Sequence, residues 1–128
     1  MFRGLLIRHP SVDMILDGKK TWEIRGSRTA IREVIGLIPS GSGTITGFCE
    51  IVECKGPLTA NAYRKNAAKA GMRPSEARLG RYRNTYAWVM AKPHYLKKPV
   101  PYKHPSGAVI WVCLDSKVER AIREQLAA

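Results

Sequence analysis

Gly18-Lys19-Lys20-Thr21-Trp22-Glu23-Ile24-Arg25 is the stretch on which the reading of this chain turns. Its first residue stops a short helix. Pro10 suits a first helical turn, Met14, Ile15 and Leu16 supply an apolar side, and glycine takes the left-handed conformation that ends a helix. From Thr21 onward polar and apolar residues alternate. Successive side chains of a strand point to opposite faces, so this alternation predicts a half-buried strand. Thr21, Glu23 and Arg25 then share one face, while Trp22 and Ile24 enter the core. Lys20 lies in the turn before the strand, where its amine is expected to face solvent. A carboxylate beside two cations stays ionised and can act as a base or a hydrogen-bond acceptor, and a lysine can stabilise a developing oxyanion. Lys20, Glu23 and Arg25 are therefore candidate catalytic residues if the protein is an enzyme, with Thr21 as a further candidate. The competing reading is a structural salt bridge from Glu23 to Arg25 or Lys20 that only fixes the fold.

Working outward, Leu5-Leu6-Ile7 and Val34–Ile38 read as buried strands, Pro39–Gly43 as a turn, and Thr44–Glu53 as a long strand with a bulge at Gly47. Thr59 can cap a helix over Ala60–Ala70 that Gly71 ends. Pro74–Ala77 begins a second short helix. Thr85–Met90 is a strand, and Lys98–Tyr102 is extended because each proline biases the residue before it away from helix. Ala108–Leu114 reads as an apolar strand buried on both faces. Ser116 and Glu119 form a capping box for a last helix with Val118, Ile122 and Leu126 on one stripe. About six strands with three or four short helices predict an α+β fold: a small barrel with peripheral short helices and a C-terminal helix. The 128 residues suit a single domain over residues 1–128. The one stretch resembling a linker, residues 92–106, is too short to separate two.

The formal net charge is +12, from 22 Lys and Arg against 10 Asp and Glu. It is concentrated. Residues 1–54 hold seven basic and six acidic groups, whereas residues 55–114 hold twelve basic groups and one acid, Glu76. Tyr63, Tyr82, Tyr86, Trp88, Tyr95 and Tyr102 are interleaved with that basic segment. Cations neutralise phosphates and aromatic rings stack on exposed bases, so the mixture points to RNA, single-stranded or structured. Arg78, Arg81 and Arg83 are the leading candidates for phosphate contacts, joined by Arg8, Lys19, Lys97 and Lys98. Among the tryptophans, which by default pack in the core, Trp88 is the candidate for stacking on a base. The alternative is a solvated basic surface.

Other classes are disfavoured. No apolar run is long enough to span a bilayer, no helix joins a basic face to a strongly apolar one, and no membrane partner is expected. The first residues lack a signal-peptide pattern, which predicts a cytoplasmic protein. Cys49, Cys54 and Cys113 are odd in number and form no CxxC pair, so neither a disulfide framework nor a zinc knuckle is expected. Cys49 reads as a core residue. His9, His94 and His104 lie far apart without ligand spacing, and no metal or other cofactor is expected. Ser40-Gly41-Ser42-Gly43 lacks the Gly-Lys-Ser/Thr ending of a phosphate loop.

The Gly18–Arg25 string, read as Gly-x-Lys-Thr-x-Glu-x-Arg, resembles the signature of the ASCH domain family, whose fold is related to the PUA RNA-binding barrel. Arg8-His9-Pro10 opens the first helix where that family usually has a basic residue, Gln and Pro. Tyr86-Ala87-Trp88, then Pro99-Val100-Pro101-Tyr102, Gly107 and Trp111 look like its closing strands. The resemblance covers about residues 4–114 and implies a PUA-like barrel that binds RNA through a nucleotide-sized pocket. It also implies two enzymatic alternatives, both metal-independent. One is a ribonuclease, with Glu23 as base and Lys20 and Arg25 stabilising the pentavalent phosphate. The other is an amidohydrolase acting on a modified nucleoside such as N4-acetylcytidine. In that branch a Lys and a nucleophilic Thr lie close together in the string. The Lys maps to Lys20, but Glu23 occupies the Thr position and Thr21 lies nearer the Lys. The branch's glutamate ahead of a Met has only Ala70 or Gly71 at the equivalent place before Met72, with Glu76 beyond. A third alternative is a non-catalytic module that recognises a modified base or a protein.

Overall fold

The computed structural model describes residues 2–127, with side chains as far as Gln125. Among these residues the order is β1 (Phe2–Ile7), α1 (Ser11–Leu16), β2 (Trp22–Arg25), β3 (Val34–Pro39), β4 (Thr44–Lys55), α2 (Ala60–Lys65), 3-10 turns at Ala67–Ala70 and Pro74–Glu76, β5 (Tyr86–Pro101), β6 (Trp111–Leu114) and α3 (Ser116–Ala127). The strands form one sheet in the order β2-β5-β4-β3-β1-β6. β1 and β3 run parallel, and the other pairs are antiparallel. The α+β class is as expected. The expected barrel needs a correction: no ladder joins β2 to β6, so the sheet is rolled but open along a seam. Side chains bridge that seam. Arg25 of β2 donates to the Leu6 carbonyl of β1 at 2.9 Å, and Trp88 of β5 stacks on Trp111 of β6 with ring centroids 5.8 Å apart.

The apolar run of β1 serves two cores because its residues alternate. Leu5 and Ile7 pack inside with Ile35, Leu37 and α1's Val12 and Ile15. Leu6 packs outside with Ile38, Leu114 and α3's Ile122. A third cluster covers the outer face of β2 and β5, where Trp22 and Ala87 lie under Tyr63, Ala67 and Ala70. Burying each large aliphatic side chain contributes about 1.5–3 kcal/mol.

Several local expectations change. The helix foreseen over residues 60–70 breaks at Asn66, and the remainder is a 3-10 turn ended by Gly71 at φ 70°. Thr59 caps it as foreseen, its Oγ1 accepting from Ala62 N at 3.1 Å. Residues 92–101, assigned to the linker-like stretch, continue β5. β2 pairs only with Tyr86–Val89, which leaves a free edge beyond, and proline is tolerated on such an edge. The last strand starts at Trp111 rather than Ala108 and is buried on one face only: Val112 and Leu114 pack with Ile122 of α3, while Trp111 is half-buried and Cys113 exposed. Asp115, not Ser116, caps α3, its Oδ1 accepting from Val118 N at 2.9 Å. Ile122 is buried as foreseen and Val118 half-buried, while the Leu126 side chain lies outside the described residues. The bulge at Gly47 coincides with a register shift, and a Cβ there would collide with Leu16 and sit 2.6 Å from the His94 carbonyl oxygen. No helix among the described residues is long and apolar enough to cross a membrane.

Candidate functional site

The alternation of β2 is as expected, but its polar face is not the solvent face. Glu23 pairs in register with Trp88, and directly opposed residues share a face of the sheet, so both point into the rolled sheet. The apolar residues Trp22 and Ile24 meet the covering turns on the outside. Glu23 is only 7% exposed and Lys20 only 6%, which corrects the expectation of a solvent-facing lysine. Burial of these charges is sustained by mutual pairing. Lys20 Nζ lies 3.2 Å from Glu23 Oε1 and donates to Ser11 Oγ at 3.0 Å. Arg25 Nη2 lies 2.8 Å from Glu23 Oε2, and its Nε donates to the same oxygen at 3.0 Å. The Arg25 guanidinium also sits 5.4 Å from the Trp88 ring centroid. Beneath this group, burial pushes the Cys49 thiol up to about 12, with the Glu23 charge adding to the effect. Cys49 is a core residue, as expected, with Sγ 3.6 Å from Met90 Sδ.

These three residues form the floor of a cleft of about 470 Å³ that straddles the seam. One wall belongs to the β1 and β6 side and includes Leu6, Arg8, Ser40 and Val109. The other belongs to α2 and the segment that joins it to β5, with Tyr63, Met72, Arg78, Arg81 and Tyr82. That segment is tied to β2 by Thr21 N donating to the Lys69 carbonyl at 2.9 Å. The ring of Tyr82 packs onto Gly26, where a Cβ would lie 2.5 Å from Tyr82 Cδ1. The cleft therefore joins two parts of the sequence that the charge distribution holds apart: the near-neutral string and the basic segment. Five cations, Arg8, Lys20, Arg25, Arg78 and Arg81, meet two carboxylates, Glu23 and Glu76. Glu76 is already engaged: the Arg73 backbone N–H donates to its Oε1 at 2.9 Å and holds its carboxyl below the usual range, with the Arg73 side chain assisting. Burial raises the Tyr63 hydroxyl above its ordinary value, Tyr82 adds to the effect and Arg81 opposes it.

Not every sequence candidate reaches the cleft. Lys20, Glu23, Arg25, Arg8, Arg78 and Arg81 line it, whereas Thr21, Lys19, Arg83, Lys97 and Lys98 do not. Thr21 is exposed and does not line the cleft, so it is not placed to attack a ligand held there. Trp88 needs the clearest correction. It is 2% exposed, its Nε1 donates to the Ser27 carbonyl at 2.9 Å, and its ring is covered by Trp111 and Arg25. Its faces are unavailable to a base. The aromatic that lines the cleft with exposed surface is Tyr82, which also carries Arg81 at 5.4 Å from its ring centroid. Its place within the basic Arg81–Arg83 run was the signal in the sequence. Ser11, Met72 and Glu76 join the cleft through chain folding that no local pattern announces.

The family model of the ASCH domain matches residues 5–100. Among solved structures, the chain is similar to an ASCH protein from Zymomonas mobilis. A tyrosine-to-phenylalanine mutant of that protein shares 14% identity at a TM-score of 0.71, covering 95% of this chain and 96% of that one. A serine-to-alanine mutant of it matches with the same identity and TM-score, covering 95% and 94%. The Zymomonas mobilis ASCH protein itself gives 0.69, covering 98% and 92%. At that identity the likeness concerns the fold. No curated protein sequence matches closely enough to count as a relative. With the family model spanning most of its length and the string Gly18–Arg25 forming the floor of its cleft, this chain belongs to the ASCH domain family.

Proposed function

We propose that this protein binds RNA, holding one nucleotide in the cleft over Lys20, Glu23 and Arg25. The observation that supports this most directly is the convergence of Arg8, Arg78 and Arg81 over that buried ion cluster. These arginines present guanidinium groups suited to phosphate oxygens, which accept paired N–H donors. A cleft of about 470 Å³ lies within the usual range for small-ligand sites. Tyr82 supplies a ring on which a base can stack. The exposed lysines outside the cleft, among them Lys97 and Lys98, would extend contact along the backbone.

Catalysis is the second reading, and one observation bears on it. Glu23 Oε2 takes two contacts from Arg25 and Oε1 faces Lys20. With both oxygens taken by cations of its own chain, Glu23 serves as an anchor for the floor of the cleft. Thr21, the threonine of the string, lies outside the cleft. Binding therefore has the stronger support. The test is titration of labelled RNA by the protein across a salt series. A steep fall in affinity with salt, reduced in Arg78→Ala and Arg81→Ala, supports the reading, and a flat response overturns it. Incubation of RNA and of N4-acetylcytidine with the protein and with Lys20→Ala decides the catalytic reading. Product formed by the protein and lost in the variant would establish it.

A further inference from the structure

Val109 lies on the strap between β5 and β6 and is 77% exposed, yet it lines the cleft. An isolated exposed valine on a surface needs no explanation, but this one is held in place. His104 Nε2 donates to the Ala108 carbonyl at 2.9 Å, and its Nδ1 meets the Tyr102 hydroxyl at 2.9 Å. The imidazole thus ties the end of β5 to the residue just before Val109. On the other side, Leu6 N donates to the Ile110 carbonyl at 2.9 Å and fixes the strap to β1. Gly107 makes the intervening turn at φ 81°, a left-handed conformation that side chains rarely adopt. Val109 is therefore bracketed on both sides by hydrogen bonds. It lines the same cleft as Tyr82 but from the β6 side of the seam, whereas Tyr82 packs on Gly26 at the end of β2. A charged floor with a valine on one wall and a tyrosine on the other matches a flat ring joined to a phosphate.

We propose that Val109 is a specificity-determining contact that packs against one face of a base whose other side rests on Tyr82, and that His104 is the residue that positions it. This rests on the RNA-binding reading. The two probes are a labelled short oligouridylate and a strand of equal length and charge that is abasic throughout, both titrated by fluorescence anisotropy. The protein should bind the oligouridylate more tightly than the abasic strand. Val109→Ser should weaken the oligouridylate about fivefold, the effect of uncovering most of one small aliphatic side chain, and leave the abasic strand unchanged. His104→Ala should give the same selective loss, and His104→Gln, which keeps a donor and an acceptor, should recover part of it. Because Val109 is exposed, its replacement tests contact without disturbing the core. Equal losses on both strands, or no loss on either, would overturn the proposal while leaving RNA binding intact. Failure of the unaltered protein to bind either strand would overturn both.

Discussion

Arg25 Nη2 donates to the carbonyl oxygen of Leu6 across the open seam, 19 positions away in sequence, while its Nε holds Glu23 Oε2. One guanidinium thus serves the fold and the floor of the cleft together. A single point charge cannot occupy both places. Arg25→Lys should therefore lower stability by about 1–2 kcal/mol, the effect of one lost hydrogen bond to a buried acceptor. Urea unfolding would measure it. Stability equal to that of the parent protein would show that the seam does not depend on this bond.

Removing one member of the buried cluster should cost more than removing two. Glu23→Gln leaves the Lys20 ammonium, 6% exposed, and the Arg25 guanidinium without their shared anion and should destabilise by about 3 kcal/mol. Lys20→Met combined with Glu23→Gln should recover part of that loss. A double-mutant cycle with additive effects would show that the two side chains do not interact.

The arginines of the basic wall should act through phosphate. Arg78→Ala with Arg81→Ala should weaken RNA of every sequence alike. It should also reduce the slope of log affinity against log salt by about 1.4, since each single-strand phosphate contact carries about 0.7. A change confined to one base composition would instead assign these residues to base reading.

Gly26→Ala should act on binding through Tyr82. The new methyl group would lie 2.5 Å from Tyr82 Cδ1 and must displace the ring. The expected result is weaker RNA binding with little change in the midpoint of thermal unfolding, because Gly26 is exposed. An unchanged affinity would remove Tyr82 from the contact surface.

Alkaline pH should expose the burial of Cys49. Its folded value is raised from 9.0 to about 12, so the folded protein keeps the proton that the unfolded chain has begun to release. The stabilisation is complete below pH 9 and is lost as pH rises toward 12, with a slope of up to about 1.4 kcal/mol per pH unit. Tyr63, also raised by burial, adds a further loss only from about pH 10, its ordinary value. Between pH 9 and 10 the decline should therefore be largely absent in Cys49→Ala. In the native protein a thiol reagent should modify exposed Cys113 quickly and Cys49 only after unfolding.

Periodicity made the strands legible because a strand's alternation is local. Thr21–Arg25 could be read as a strand without knowing its neighbours. Which face of it would be buried could not be read, because that depended on Lys20, Glu23 and Arg25 neutralising one another inside the sheet. Trp88 and Tyr82 show the same limit. Both are aromatic residues near basic ones, but Trp88 shares its face with Glu23 through strand register and is sealed in. Tyr82 lies in a loop that folds back onto Gly26. The separation of charge from the string was correct along the sequence and is undone in space by the turns after α2. β6 read as doubly buried because an apolar run carries no mark of which face a neighbouring element will cover.

The pairing of Phe2 with Leu114 brings the first strand beside the last. One wall of the cleft needs Leu6 and Val109 together, so no emerging chain on the ribosome can form that wall until β6 has left the exit tunnel. Until then Arg3, Gly4 and Leu5 lack their partners in β6, and such long-range closure is slow. A chain truncated after residue 100 would retain the segment that matches the family and most of the sheet, yet it would lack the strap and the last strand. Completion of the cleft thus waits on β6, and it reports that β1 and β6 have come together.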